Sequence, residues 1–299
     1  MKDISVIILT YNEEKHIERC INSLKPFVKD IFVIDSYSTD STLETVEKLG
    51  AKIFQNKWVN YATQFQWALD KCPIKTKWVM RMDADEYVEP ELAKEITRII
   101  DNLPENVRGL YLKRKVIFMG KWIRWGGFYP HILLRIWQHG YGRIEQRWMD
   151  EHIILKEGDT FLIKKGHIVD DNKNNITWWI DKHNKYATRE MLDLMNIKYK
   201  FFKQDDALLK MKDPQAKWKR FIKEKIYSRL PLGIRPTLYF FYRYFLKLGF
   251  LDGWQGFIFH FMQAWWYRLL VDVKCWEFER KFNGDIKNLL NREYGIKIS

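Results

Sequence analysis

The chain has only three cysteines in 299 residues, Cys20, Cys72 and Cys275, odd in number and far apart. They supply neither a disulfide framework nor zinc-ligand spacing, and they point to a reducing compartment. Glycine is absent where several nucleotide folds need it. The segment after the first strand-like run reads Thr10-Tyr11-Asn12-Glu13-Glu14. That excludes a dinucleotide dehydrogenase and counts against a sugar nucleotidyltransferase, the alternative enzyme that also uses an α/β sheet, carboxylates and Mg²⁺. No apolar run reaches the roughly 18–20 uncharged residues of a bilayer span. Met1 to Ile4 is read as entering a strand directly, with no signal peptide. Internal repeats and low-complexity linkers are also missing. Acidic residues are scarce only in the last part: residues 1–172 hold 26 Lys/Arg against 25 Asp/Glu, and residues 173–299 hold 25 against 13. The basic character therefore belongs to the C-terminal part, and a nucleic-acid-binding module is disfavoured for the main one.

What is present first is alternation. Residues 4–9 form a continuous apolar run, as for a strand covered on both faces. Residues 13–24 follow with Ile17, Cys20, Ile21 and Leu24 on one helical face. Strands are expected at 31–34, 52–54 and 77–82, and helices from an Asp40 N-cap to near Gly50, over 61–71, and over 90–101 with Pro90 in its first turn. Longer strands are read at 109–118 and 132–137. This β-α-β-α order predicts a mostly parallel sheet with helices on both sides, whose ligands bind outside the carboxyl ends of the strands. Thr10-Tyr11-Asn12, Asp35-Ser36 and Asp83-Ala84-Asp85 all fall at such ends. We therefore divide the chain into a catalytic domain, 1–172, and a helical basic and aromatic region, 173–299.

The apolar run Trp78 to Met82 stops at two carboxylates spaced i, i+2. On a strand such side chains share one face. Two hard oxygen ligands suit Mg²⁺ or Mn²⁺, ions held by one or two carboxylates plus substrate phosphates. On residue type alone, Asp83 and Asp85 also suit a solvated turn that caps a helix, and Asp150 and Glu151 suit an exposed turn. Likewise Arg124 and Arg135 suit a diphosphate or an anionic acceptor, or else an ordinary surface.

Taken together, Ser5 to Glu14, Ile34 to Thr42 and Asp83-Ala84-Asp85 resemble the family 2 glycosyltransferases over about residues 1–155. The likeness is greatest to members that build lipopolysaccharide core, O-antigen or capsule. The resemblance implies a GT-A fold, an inverting reaction, a nucleotide-sugar donor (usually a UDP-sugar) and Mn²⁺ or Mg²⁺. It places Thr10, Tyr11, Asn12 and Glu13 on the base and ribose, and Asp35 and Asp40 on uracil or ribose. Gln64 and Gln66 fall where relatives often carry Arg-Asn before the acidic motif, and glutamine brings no charge. Asp83 and Ala84 fall on the ribose side, Asp83 also facing the metal, and Asp85 is the direct metal ligand. The catalytic base falls in Met149-Asp150-Glu151-His152, with Glu151 first and Asp150 second. His167 is a candidate third ligand, since imidazole binds Mn²⁺, or else a structural histidine. His183 suits the acceptor side or a helix face.

Over residues 198–247, 14 Lys/Arg stand against 4 acids, interleaved with Trp, Tyr and Phe. Such a stretch suits an interfacial helix on an anionic membrane, and 198–230 is read this way. For residues 250–270, where charge is sparse, a core or a homo-oligomer interface fits nearly as well as the membrane surface. The implied setting is the cytoplasm, peripheral on the inner face of the bacterial membrane, with a lipid-linked glycan as acceptor and no nucleic-acid partner.

Overall fold

The computed structural model describes residues 1–145, 151–201, 230–282 and 284–294. Asp150 and most of the basic stretch 198–230 lie outside the described residues. The strands are β1 (Lys2–Thr10), β2 (Val28–Asp35), β3 (Lys52–Gln55), β4 (Trp78–Asp83), β5 (Glu86–Val88), β6 (Val107–Phe118), β7 (Lys121–Ile123), β8 (His131–Gln138), β9 (Gly142–Ile144), β10 (Ile153–Leu155), β11 (Asp159–Leu162) and β12 (Ile168–Asp170). Four helices lie among them: α1 (Ile17–Leu24), α2 (Thr42–Lys48), α3 (Tyr61–Lys71) and α4 (Pro90–Ile99).

Ten strands form one sheet in the order β3-β2-β1-β4-β8-β6-β12-β5, with β7 and β11 also on β6. The first four are all parallel; β8 then runs against β4 and β6, so the sheet is mixed, as expected of the GT-A architecture. The alternation of β1 explains the layers. Ile4, Val6 and Ile8 pack with Ile17 and Ile21 of α1 and Leu92 and Ile96 of α4. Ile7 points to the other face, onto Phe65 and Ala68 of α3. Both faces are covered, which is why the strand reads as an unbroken apolar run.

After Asp170 every described element is helical: α5 (Ile176–Tyr199), α6 (Ile234–Phe241), α7 (Gly253–His260), α8 (Tyr267–Lys281) and α9 (Ile286–Tyr294). A π-helical stretch, Phe261–Trp266, joins α7 to α8. Ala187 and Met191 of α5 pack on Tyr267, Val271 and Phe278 of α8 in a separate core. Asn175 caps α5 by accepting from Trp178 N (3.0 Å). This region is locked to the sheet at the β7–β8 connection. Arg124 N and Trp125 N donate to Asp252, and Gly126 N donates to the Lys247 carbonyl. Gly126 has a φ of +71° and lies so close to the His260 ring that a Cβ would fall 2.1 Å from it, so only glycine fits. No described helix is long and apolar enough to cross a membrane.

Candidate active site

The ends of β1 and β2 are in register, Thr10 beside Asp35, and their following loops are zipped together. Thr10 Oγ1 donates to Asp35 (2.9 Å), Asn12 N to Ser38 Oγ (2.8 Å), Thr39 N to Asn12 Oδ1 (2.8 Å) and Glu13 N to Thr42 Oγ1 (2.8 Å). Asn12 takes a left-handed φ of +57°, which its short amide tolerates. Asp35 is fully buried and also accepts from Ser38 N (2.8 Å), so it shapes the loop that follows it. Asp40 lies one residue further from α2 than an N-cap: the cap position is Ser41, and Asp40 accepts from Thr42 N and Glu14 N. Gln64 is buried with its amide spent on Ser36 Oγ, the Asn56 carbonyl and the Asn56 side chain, supporting the loop from behind. The Tyr11 and Tyr37 rings stand exposed at this edge.

Asp83 ends β4, paired with Leu9. It accepts from Tyr61 Oη (2.7 Å) and lies 3.3 Å from Arg135 and 3.8 Å from Arg81. Arg135 is itself buried and 2.6 Å from buried Glu86, while Arg114 lies 3.4 Å from both Glu86 and Asp170. β4, β8, β6, β12 and β5 thus contribute Asp83, Arg135, Arg114, Asp170 and Glu86, a charged layer in which the two arginines of the central strands pair with the carboxylates on either side. Burial works to raise Asp83, but Arg135 and Arg81 overcome it and hold its carboxyl well below the usual range. Glu86 moves the other way: burial raises it more than Arg135 lowers it. Arg135 is therefore not the surface arginine that its type suggests. One cation inside the apolar strand HILLRIWQ is the signal that foretells it, because a buried guanidinium needs a buried acid. Arg135→Leu is expected to cost about 3–5 kcal/mol in urea unfolding, as a buried pair does when one partner is removed.

Asp85 sits past the strand, in the turn between β4 and β5, so strand alternation no longer governs it. It meets a different set of partners from Asp83. It accepts from Asn172 Nδ2 (2.9 Å), and the Lys182 ammonium of α5 lies 3.9 Å away. Asn172 and Lys182 are site residues that no local pattern announces. Burial would lower Lys182, but Tyr186, Asp85, Asp170 and Glu13 together push it up. Glu13 is raised by burial and by Asp85, against hydrogen bonding from His16. Ala84 is buried between the two carboxylates.

Glu151 begins the described chain after 146–150, and its carbonyl accepts from Arg81 Nη1 (3.2 Å). The same guanidinium faces Asp83 and lies over the Tyr61 ring at 4.3 Å. The segment expected to carry the base is thus tied to the acidic strand end. His167 is engaged elsewhere: Glu89 is 2.8 Å from Nδ1 and Tyr129 Oη 2.8 Å from Nε2. His183 stacks on Trp179 within the helical region, with Tyr267 beside it. Among the described residues no group of three or more His, Cys, Asp or Glu is arranged to hold a metal ion.

The family model described as "Glycosyl transferase family 2" matches residues 5–170, from the first strand to the last. The chain belongs to glycosyl transferase family 2. An uncharacterized glycosyltransferase of Rickettsia bellii is 43% identical over 98 residues, 33% of each chain, so that match spans about a third of the relative's length. The lipopolysaccharide core biosynthesis glycosyltransferase LpsC of Rhizobium meliloti is 26% identical over 278 residues, 87% of this chain and 90% of that one. Among solved structures, glucosyl-3-phosphoglycerate synthase from Mycobacterium tuberculosis, in complex with Mn²⁺, UDP and glucosyl-3-phosphoglycerate, is 21% identical. It covers 38% of this chain and 44% of its own, with a TM-score of 0.31. In this family 2 member the matched span and the sheet end at the same residue, Asp170.

Proposed function

We propose that the protein is an inverting glycosyltransferase that moves a sugar from a nucleotide-sugar, of the uridine type, to a hydroxyl of a lipid-linked glycan. The setting is synthesis of lipopolysaccharide or another bacterial surface polysaccharide, at the inner face of the cytoplasmic membrane. The observation that carries the reading is the meeting, at one sheet edge, of the zipped β1 and β2 loops, the Asp83–Asp85 turn and the Glu151 segment tied in by Arg81. The Rhizobium relative's role in lipopolysaccharide core biosynthesis supports the acceptor class.

In this reading the nucleoside lies against Thr10 to Glu13 and the Asp35–Asp40 loop, with Tyr11 and Tyr37 as exposed rings to meet the base. The donor set suits a divalent ion: Asp83 is kept ionised by Arg135 and Arg81, and Asp85 brings a second hard oxygen ligand. Asp85 and Asp83 would hold Mg²⁺ or Mn²⁺, which would supply Lewis-acid stabilisation of the charge on the leaving diphosphate. Lys182, facing Asp85, adds a fixed cation to the same edge. Glu151 takes the proton of the acceptor hydroxyl, with Asp150 as the second choice. His167 could join as a third ligand only by giving up Glu89 or Tyr129.

A panel of nucleotide-sugars scored by thermal shift tests this. UDP-sugars with Mn²⁺ are expected to raise the melting temperature, with about 2.7 kcal/mol of stabilisation at a hundredfold excess over Kd. No shift with any nucleotide-sugar, with or without Mn²⁺, would contradict it.

A further inference from the structure

Exposed large apolar side chains are concentrated in one short stretch, residues 232–261. Of the 24 large apolar side chains exposed among the described residues, 12 lie in this short stretch. Leu246 is 76% exposed and Trp254 69%. The face is continuous, because its rings touch. Phe241 stacks on Phe245, Phe245 meets Tyr244, and Tyr244 meets Phe257, which stacks on Trp254. A soluble monomer rarely leaves a contiguous apolar surface of this kind bare.

Charge decides what the face meets. Between residues 230 and 271 the only acid is Asp252, and it is buried, spent on Arg124 N and Trp125 N. The cations at the rim are Lys247, Arg124 and Lys121, the last with its ammonium close to Gly253. A two-fold contact with a second copy would bring these cations together with no acid of the face to offset them. An anionic leaflet offers the missing negative charge, and Trp and Tyr rings suit its headgroup boundary.

Position adds to this. β6 runs parallel to β4, since both oppose β8, so Phe118 at the end of β6 lies on the same sheet edge as Asp83. Phe118 packs on Phe259 of α7 and on Trp179 of α5. One turn beyond Trp179, Lys182 reaches Asp85.

We propose that the face carried by α6, the π-helical stretch Tyr242–Leu246 and the start of α7 is a membrane-docking surface. It seats at the headgroup boundary of an anionic leaflet and turns the acidic sheet edge toward a lipid-linked acceptor. Its second half rests on the reaction proposed above; the docking itself does not. The surface overlaps the 198–247 stretch that composition selects only at residues 234–247 and extends beyond it into α7.

The test is flotation of the full chain with vesicles of phosphatidylglycerol and phosphatidylethanolamine, compared with phosphatidylcholine alone. Binding to the anionic vesicles is expected. Leu246→Ser with Trp254→Ser should weaken it at least tenfold while leaving the UDP-sugar thermal shift unchanged. Lys247→Glu with Lys121→Glu should remove the preference for phosphatidylglycerol. The three native cysteines are buried, so Leu246→Cys can carry a polarity-sensitive dye. Its emission should shift to the blue only when vesicles are added. A protein that stays unbound, a double serine variant that floats like the parent, or a blue shift that appears with protein concentration in the absence of lipid would overturn the proposal. The last would mark a contact with a second copy. Vesicle binding without any donor-induced shift would defeat the reaction reading and leave the docking surface standing.

Discussion

Asp85→Ala is expected to reduce sugar transfer by about 10²–10³-fold or more, the range for losing one group that stabilises developing charge in a transition state. The same variant should lose the Mn²⁺ dependence of UDP binding in calorimetry. Its fold should survive, with the melting temperature within about 3 °C of the parent, because Asp85 lies in a turn and its carboxylate accepts one short hydrogen bond, from Asn172. Asp83 gives a less clean experiment. Its carboxylate holds Arg135 and Tyr61 in the buried charged layer, so Asp83→Ala mixes lost chemistry with lost stability. Unchanged turnover in Asp85→Ala would remove the metal assignment.

Glu151→Gln should separate binding from chemistry. The amide keeps the shape of the side chain but cannot accept the acceptor's proton. Donor affinity should stay within about twofold while transfer falls by about 10²–10⁴-fold, the usual worth of a positioned general base. The tie from Arg81 goes to the Glu151 carbonyl, which the substitution leaves in place, so the segment should remain docked. Full transfer by Glu151→Gln would move the base to Asp150 or another residue.

Much of the sheet domain was legible because its signals are local. The apolar run at 4–9, the helical face at 61–71 and Pro90 at a first turn each name an element from within it, and α3 occupies Tyr61–Lys71. The three-residue strands β5, β7, β9, β10 and β12 were not legible. Each is too short for a periodicity, and each forms only because a distant partner lies beside it, as Glu86 to Val88 does against β12. The same division holds in the site. Thr10, Asp35 and Asp83 are named by where a strand stops. Lys182 and Asn172 reach Asp85 across 87 or more residues of chain, a contact that only tertiary packing creates. The parallel expected of Asp83 and Asp85 failed because the strand ends between them, and the turn gives each carboxylate its own partners. In the C-terminal region, composition located the basic and aromatic character, but not which aromatic rings stay exposed.

The most direct measurement is anomalous diffraction at the manganese edge from crystals grown with UDP and Mn²⁺. The account predicts one strong peak at the tip of β4, within ligand distance of an Asp85 oxygen and of the bound diphosphate. Bound UDP with the Asp83–Asp85 turn facing away from it, and no peak at that edge, would contradict the account.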